Sequence, residues 1–187
     1  MKRFGAIAAG VGLGLLAGPV FFLIWFRFLP PSSVANGPWR ANPTIGVDAA
    51  SPLDRTRTAM TILAAVPQSE FTYFFANRDD SGDSLTTRCA YRIVGGRPDA
   101  AFWSLTAYDR GGFLTSNVVD RFSVNQNDMR GDDIRVEIAR TGDGSNWLPT
   151  PRGNQFNLVL RLYEPSAKIV TAPEKADLPS IQRVGCA

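Results

Sequence analysis

The sequence of 187 residues is 44% hydrophobic and 20% charged, the balance of a chain that folds around a core. It contains no histidine, which excludes Ser-His-Asp and Cys-His nucleophile systems, imidazole-built zinc sites and histidine pH switches. The net charge is +3, but Lys2, Arg3 and Arg27 account for all of it: the 17 other basic residues are matched by 17 acidic ones, so the excess marks no nucleic-acid-binding face.

Phe4 to Phe26 is an uncharged run of 23 residues. As a helix it spans roughly 34 Å, enough for a ~30 Å hydrocarbon core. Trp25, Phe26, Arg27 and Phe28 form an interfacial cluster at its far end, and Pro30-Pro31 stops it. A cleaved signal peptide has a shorter apolar stretch, so residues 1–29 read as an uncleaved membrane anchor. Lys2 and Arg3 favour a cytoplasmic N-terminus with the remainder outside, in a bacterial periplasm. Ala6, Gly10, Gly14 and Gly18 recur every four residues along one stripe. Such a stripe lets a partner helix approach closely, and the alternative is that glycine is simply common in membrane spans.

Residues 30–50, rich in Pro, Ser and Asn-Gly, read as a linker in which Trp39 tucks against the domain that follows. That domain is expected over 51–187. Ser51, Pro52 and Asp54 start a helix whose Leu53, Met60 and Leu63 face a sheet, and Pro67 ends it. From Glu70 the period becomes two. Five strands are expected, around Phe71–Ala76, Cys89–Ile93, Trp103–Ala107, Ile134–Ile138 and Phe156–Tyr163. Turn residues such as Asp80-Ser81-Gly82, Gly111-Gly112 and Gly142-Asp143-Gly144 separate them. The pattern implies a mostly β fold, an antiparallel sandwich of jelly-roll type, with a short helix over 165–170.

Cys89 and Cys186 are the only cysteines. In an oxidising compartment they can pair and pin the C-terminal tail to the sheet; otherwise they are two independent thiols.

Arg88-Cys89-Ala90-Tyr91-Arg92, Phe102-Trp103-Ser104-Leu105-Thr106-Ala107-Tyr108, Asn146-Trp147-Leu148-Pro149, Phe156 to Pro165 and Leu178 to Cys186 together resemble the DUF1214 family. The resemblance covers roughly residues 36–186. One N-terminal helix followed by one such domain is similar to the short membrane-anchored alphaproteobacterial type. The resemblance implies a jelly-roll-like β fold, seen in larger relatives behind a DUF1254 domain. It implies no catalytic residue and no cofactor.

A polar-aromatic set stands out as a candidate ligand site: Arg161, Trp103, Trp147, Asn146, Tyr108 and Tyr163. Aromatic platforms with Arg and Asn donors hold sugars and other small polar ligands. Arg161 can grip a carboxylate or phosphate bidentately, or else pair internally with Glu70 or Glu137 while the tryptophans fill the core. Glycoside hydrolysis needs two carboxyls across a cleft, a spacing that Glu70, Glu137 and Glu164 do not reveal in sequence. Asn77, Asp79, Ser81 and Gly82 mimic the start of a calcium loop, but Arg88 stands where the closing glutamate belongs, and no metal site is expected.

The leading expectation is a non-enzymatic, single-pass inner-membrane protein. Its helix contacts the bilayer and a membrane-embedded protein partner, and its periplasmic domain serves as an accessory subunit of a larger complex. A carbohydrate- or envelope-lipid-binding module is the first alternative, and a carboxylate-dependent hydrolase the second.

Overall fold

The computed structural model describes residues 2–28, 32–47, 50–61 and 66–187. Helix α1 runs over Lys2–Phe28 with Pro19 inside it. Its apolar side chains stay exposed, among them Leu13, Leu16 and Phe21. Among the described residues no helix is long and apolar enough to cross a membrane, so the expected span is not supported.

Among the described residues the β domain has ten strands in two sheets. One has six strands in the order β1 (Val34–Asn36), β2 (Trp39–Ala41), β3 (Phe71–Ala76), β9 (Phe156–Pro165), β5 (Ala100–Asp109) and β6 (Ser123–Asn125). The other has β10 (Ser180–Cys186), β4 (Cys89–Gly95), β7 (Ile134–Ala139) and β8 (Trp147–Pro149). All pairings are antiparallel except β7 with β8, which run parallel and make the second sheet mixed.

Alternation explains how the sheets face one another. Tyr91 and Ile93 of β4 point inward with Ile134, Val136 and Ile138 of β7. They meet Trp103, Leu105 and Ala107 of β5 and Phe156, Leu158, Leu160 and Leu162 of β9. Tyr91 and Phe156 pack edge to face across the layers, 5.7 Å between ring centroids. Burying a large apolar side chain contributes about 1.5–3 kcal/mol, so this row of inward positions holds the sandwich together.

Residues 34–41, expected in a linker, form strands of the larger sheet. Trp39 is sealed in the core, and its indole Nε1 donates to the Pro179 carbonyl at 2.7 Å. Nearby, Asn36 Nδ2 donates to Pro173 and Ala176 carbonyls at 3.1 and 2.7 Å. These bonds join the first strands to the segment that precedes β10.

Helix α2 spans Pro52–Thr61. Ser51 caps it as expected: its Oγ accepts from Asp54 N at 3.1 Å and donates to the Asp54 carboxylate at 2.7 Å. Leu53 is exposed, so the expected apolar face does not sit on a sheet at this position. Leu63 lies outside the described residues, as does the Met60 side chain. A short helix α3, Ala167–Thr171, follows β9 close to its expected place.

Cys89 and Cys186 stand directly opposite one another on β4 and β10 and form a disulfide across 97 residues. The bridge is reinforced by charge. Asp79, almost fully buried, lies 2.7 Å from the Arg183 guanidinium, which also reaches Asp83 at 3.1 Å. The other Asp79 oxygen accepts from the Ser81 and Asp83 backbone N–H groups. The calcium-like turn is thus an anchor for the C-terminal strand.

Candidate functional site

Strand β3 carries two apolar faces. Thr72, Phe74 and Ala76 turn inward, which leaves Phe71, Tyr73 and Phe75 on the outer face of the six-stranded sheet. Register places Tyr73 beside Arg161 of β9, and Arg161 beside Ser104 of β5. Phe71 lies beside Tyr163 and Phe102 on the far side of it. Three of the four tyrosines, Tyr73, Tyr108 and Tyr163, gather on this face, half-buried.

Arg161 is the centre of the group. Its Nη1 donates to Thr106 Oγ1 at 2.8 Å, its Nη2 donates to the Tyr108 hydroxyl, and its guanidinium carbon lies 5.6 Å from the centre of the Tyr108 ring. The Thr106 and Ser104 side chains form a small, buried floor. Ser104 Oγ and Tyr163 OH stand 3.4 Å apart. Tyr163 in turn packs edge to face with Phe71 and Phe102, at 4.7 and 5.4 Å between centroids. Phe71, Tyr73 and Phe75 stack along the strand.

No carboxylate pairs with Arg161 among the described residues. Glu137, one expected partner, stands on the other sheet, 3.7 Å from Arg92. Glu70, the other, is exposed, and its carbonyl accepts from Glu164 N at 2.8 Å. The guanidinium uses two of its five N–H donors on neutral hydroxyls, so three remain open.

The phenol of Tyr73 has its pKa raised above the ordinary value near 10: burial disfavours the phenolate, and Tyr163 and Tyr108 push the same way, while Arg161 opposes them. The sign follows. An unfolded tyrosine loses its proton near pH 10 and the folded one later, so the contribution to stability is complete below pH 10 and falls as pH rises towards the folded pKa. Spectrophotometric titration of the folded protein is expected to show a tyrosine that ionises above pH 10, absent from the Tyr73→Phe variant. A titration unchanged by that substitution would contradict the assignment.

The six residues singled out in the sequence separate into two groups. Arg161, Tyr108 and Tyr163 come together. Trp103 is sealed between the sheets at 1% exposure. Trp147, on β8, is 6% exposed; its Nε1 donates to Ala139 O at 3.1 Å, and its ring fills the space beside Gly142, where a Cβ would lie 2.5 Å away. Asn146 donates to the Arg135 carbonyl at 2.9 Å. These three are held by the fold. Tyr73, Ser104 and Thr106 join the site unannounced, since their place beside Arg161 depends on strand register.

A shallow groove borders the face where Phe71, Thr72 and Tyr73 approach Asn42, Gln68 and Val170, with room for at most one water molecule. The open sheet face, rather than this groove, offers the larger contact area.

Gly10, Gly14 and Gly18 lie on the exposed helix α1, where a side chain added at any of them would meet nothing of this chain within 4 Å. The Ala6 side chain lies outside the described residues.

A family model described as "Protein of unknown function (DUF1214)" matches residues 70–167. No curated protein matches the chain. Among solved structures, the VPA0106 protein from Vibrio parahaemolyticus is similar, with a TM-score of 0.62 and 22% identity over 74% of this chain and 36% of its own. An uncharacterized protein from Burkholderia cenocepacia has a TM-score of 0.42 and 13% identity over 95% of this chain and 42% of its own. The chain therefore spans less than half the length of either.

Proposed function

The chain belongs to the DUF1214 family, and from that premise we propose that it is a non-enzymatic accessory subunit, seated through α1 in a membrane-embedded partner with its β domain outside. The observation that carries this reading is the exposure of α1. Ile7, Leu13, Leu15, Leu16, Phe21 and Leu23 are each more than 60% exposed on a helix whose described side chains are almost all apolar. A helix apolar on all sides belongs in an apolar surrounding, since water would penalise it heavily.

A partner protein suits this helix better than lipid alone. The glycine stripe lowers its apolarity yet permits close approach of another backbone, and dispersion contacts at short range then supply the association energy. The disulfide is compatible with an oxidising compartment, here the periplasm of a bacterial inner membrane. Phe113, Leu114, Val118 and Val119, exposed in the loop between β5 and β6, offer the β domain a second apolar contact.

The test is the size of the particle extracted from native membranes in a mild non-ionic detergent. A heteromeric particle larger than the 20.4 kDa chain is expected, reduced to the chain alone by Gly14→Leu. Among the described residues a new side chain at Gly14 meets nothing beyond its own helix, so the variant reads an intermolecular contact. A monomer in both cases would sink the proposal.

A further inference from the structure

We infer that the outer face of the six-stranded sheet is a binding site for a small anion, a carboxylate or phosphate carried on a flat apolar body, held by Arg161. The inference is independent of the helix. It begins with an imbalance of charge. Arg40 and Arg161 occupy outer-face positions of β2 and β9, whereas every other described position between them and β6 on that face is aromatic, aliphatic, hydroxyl or amide. A half-buried guanidinium surrounded by phenols has lost part of its hydration, and no carboxylate among the described residues serves it as counter-ion.

Geometry supplies the rest. Thr106 and the Tyr108 hydroxyl hold the guanidinium across the floor of the sheet, so its position is set before any ligand arrives. The three open N–H donors form the planar fork that matches a carboxylate or phosphate, and charge-assisted bonds of this kind are about twice as strong as neutral ones. Tyr73 and Tyr163 flank the fork with ring surfaces and phenolic donors. A free inorganic anion would use the fork alone. A flat ring bearing the same anion would also cover Tyr73, Phe71 and Tyr163, which favours the larger body.

The reaction is association only; no bond is made or broken. The experiment is calorimetric titration of the full chain in non-ionic detergent with phenyl phosphate, benzoate and inorganic phosphate. At least one aromatic anion is expected to bind saturably, more tightly than inorganic phosphate, and the tighter of the two identifies the group recognised. Arg161→Gln should weaken that binding at least tenfold, and Arg161→Lys should weaken it less. Arg92→Gln, on the other sheet, should leave it unchanged. Thermal unfolding of each variant establishes that it is folded, and Tyr73→Ala provides a second route, with an expected severalfold loss of affinity for the aromatic anion. Absence of saturable binding by either aromatic anion would overturn the inference. So would equal affinity in Arg161→Gln or a preference for inorganic phosphate.

Discussion

Reduction of the Cys89–Cys186 bridge is expected to cost the β domain about 4–5 kcal/mol, the value for closing a loop of about 100 residues in the chain-entropy account. A domain of this size has about 5–15 kcal/mol in all, so the loss would consume a large part of its stability. The folded form should nevertheless persist under mild conditions. Strand β10 keeps its ladder to β4 and its Arg183–Asp79 pair, and Ile181 keeps its buried place. Equilibrium urea unfolding with and without reductant measures the difference, and Cys186→Ser should reproduce the reduced protein. A midpoint insensitive to reductant would show that the reduced chain is already restrained by other means.

Replacement of Trp39 by alanine is expected to destabilise the domain by about 3–5 kcal/mol, the range for deleting a buried aromatic side chain. The loss has two parts. One is the cavity between β2 and the core; the other is the Pro179 carbonyl, left without its indole donor. Trp39→Phe separates them, because it fills most of the volume and removes only the hydrogen bond, at about 1–2 kcal/mol. Denaturant midpoints of the two variants give the partition. A cost below about 1 kcal/mol for Trp39→Ala would mean that the first two strands are dispensable to the fold.

Trp39 also illustrates what sequence could reveal. The five longer strands were legible because inward and outward positions alternate over six or more residues, as in Ile134–Ala139. Strands β1, β2, β6 and β8 have three residues each, too few to establish a period, and β1 and β2 fall among prolines and Asn-Gly that mimic a linker. Strand β10 is longer, but only Ile181 turns fully inward, so no alternation marks it. Its disulfide, by contrast, was one of two readings that a single pair of cysteines allowed, and the structure forms it.

The candidate site was half legible. Arg161 drew attention as a charge in the middle of an apolar strand. Its surroundings depended on two facts outside local pattern: which face of β3 is inward, and how β3, β9 and β5 align. Both faces of β3 are apolar, so composition alone could not choose between them. Trp103 and Trp147 stood open for a related reason: a tryptophan is equally suited to a core and to a ligand platform, and burial decided for the core.

The segment matched by the family, residues 70–167, begins after β2 and ends before β10. Both flanking strands complete a sheet: β2 covers β3, and β10 covers β4. A chain reduced to the shared segment would present two bare strand edges, one of them the aromatic Phe71–Ala76. Unpaired edges of this composition recruit further strands, and self-association follows. The strands on either side of the matched segment thus act as guards against aggregation, and the smallest soluble unit is expected to be larger than residues 70–167.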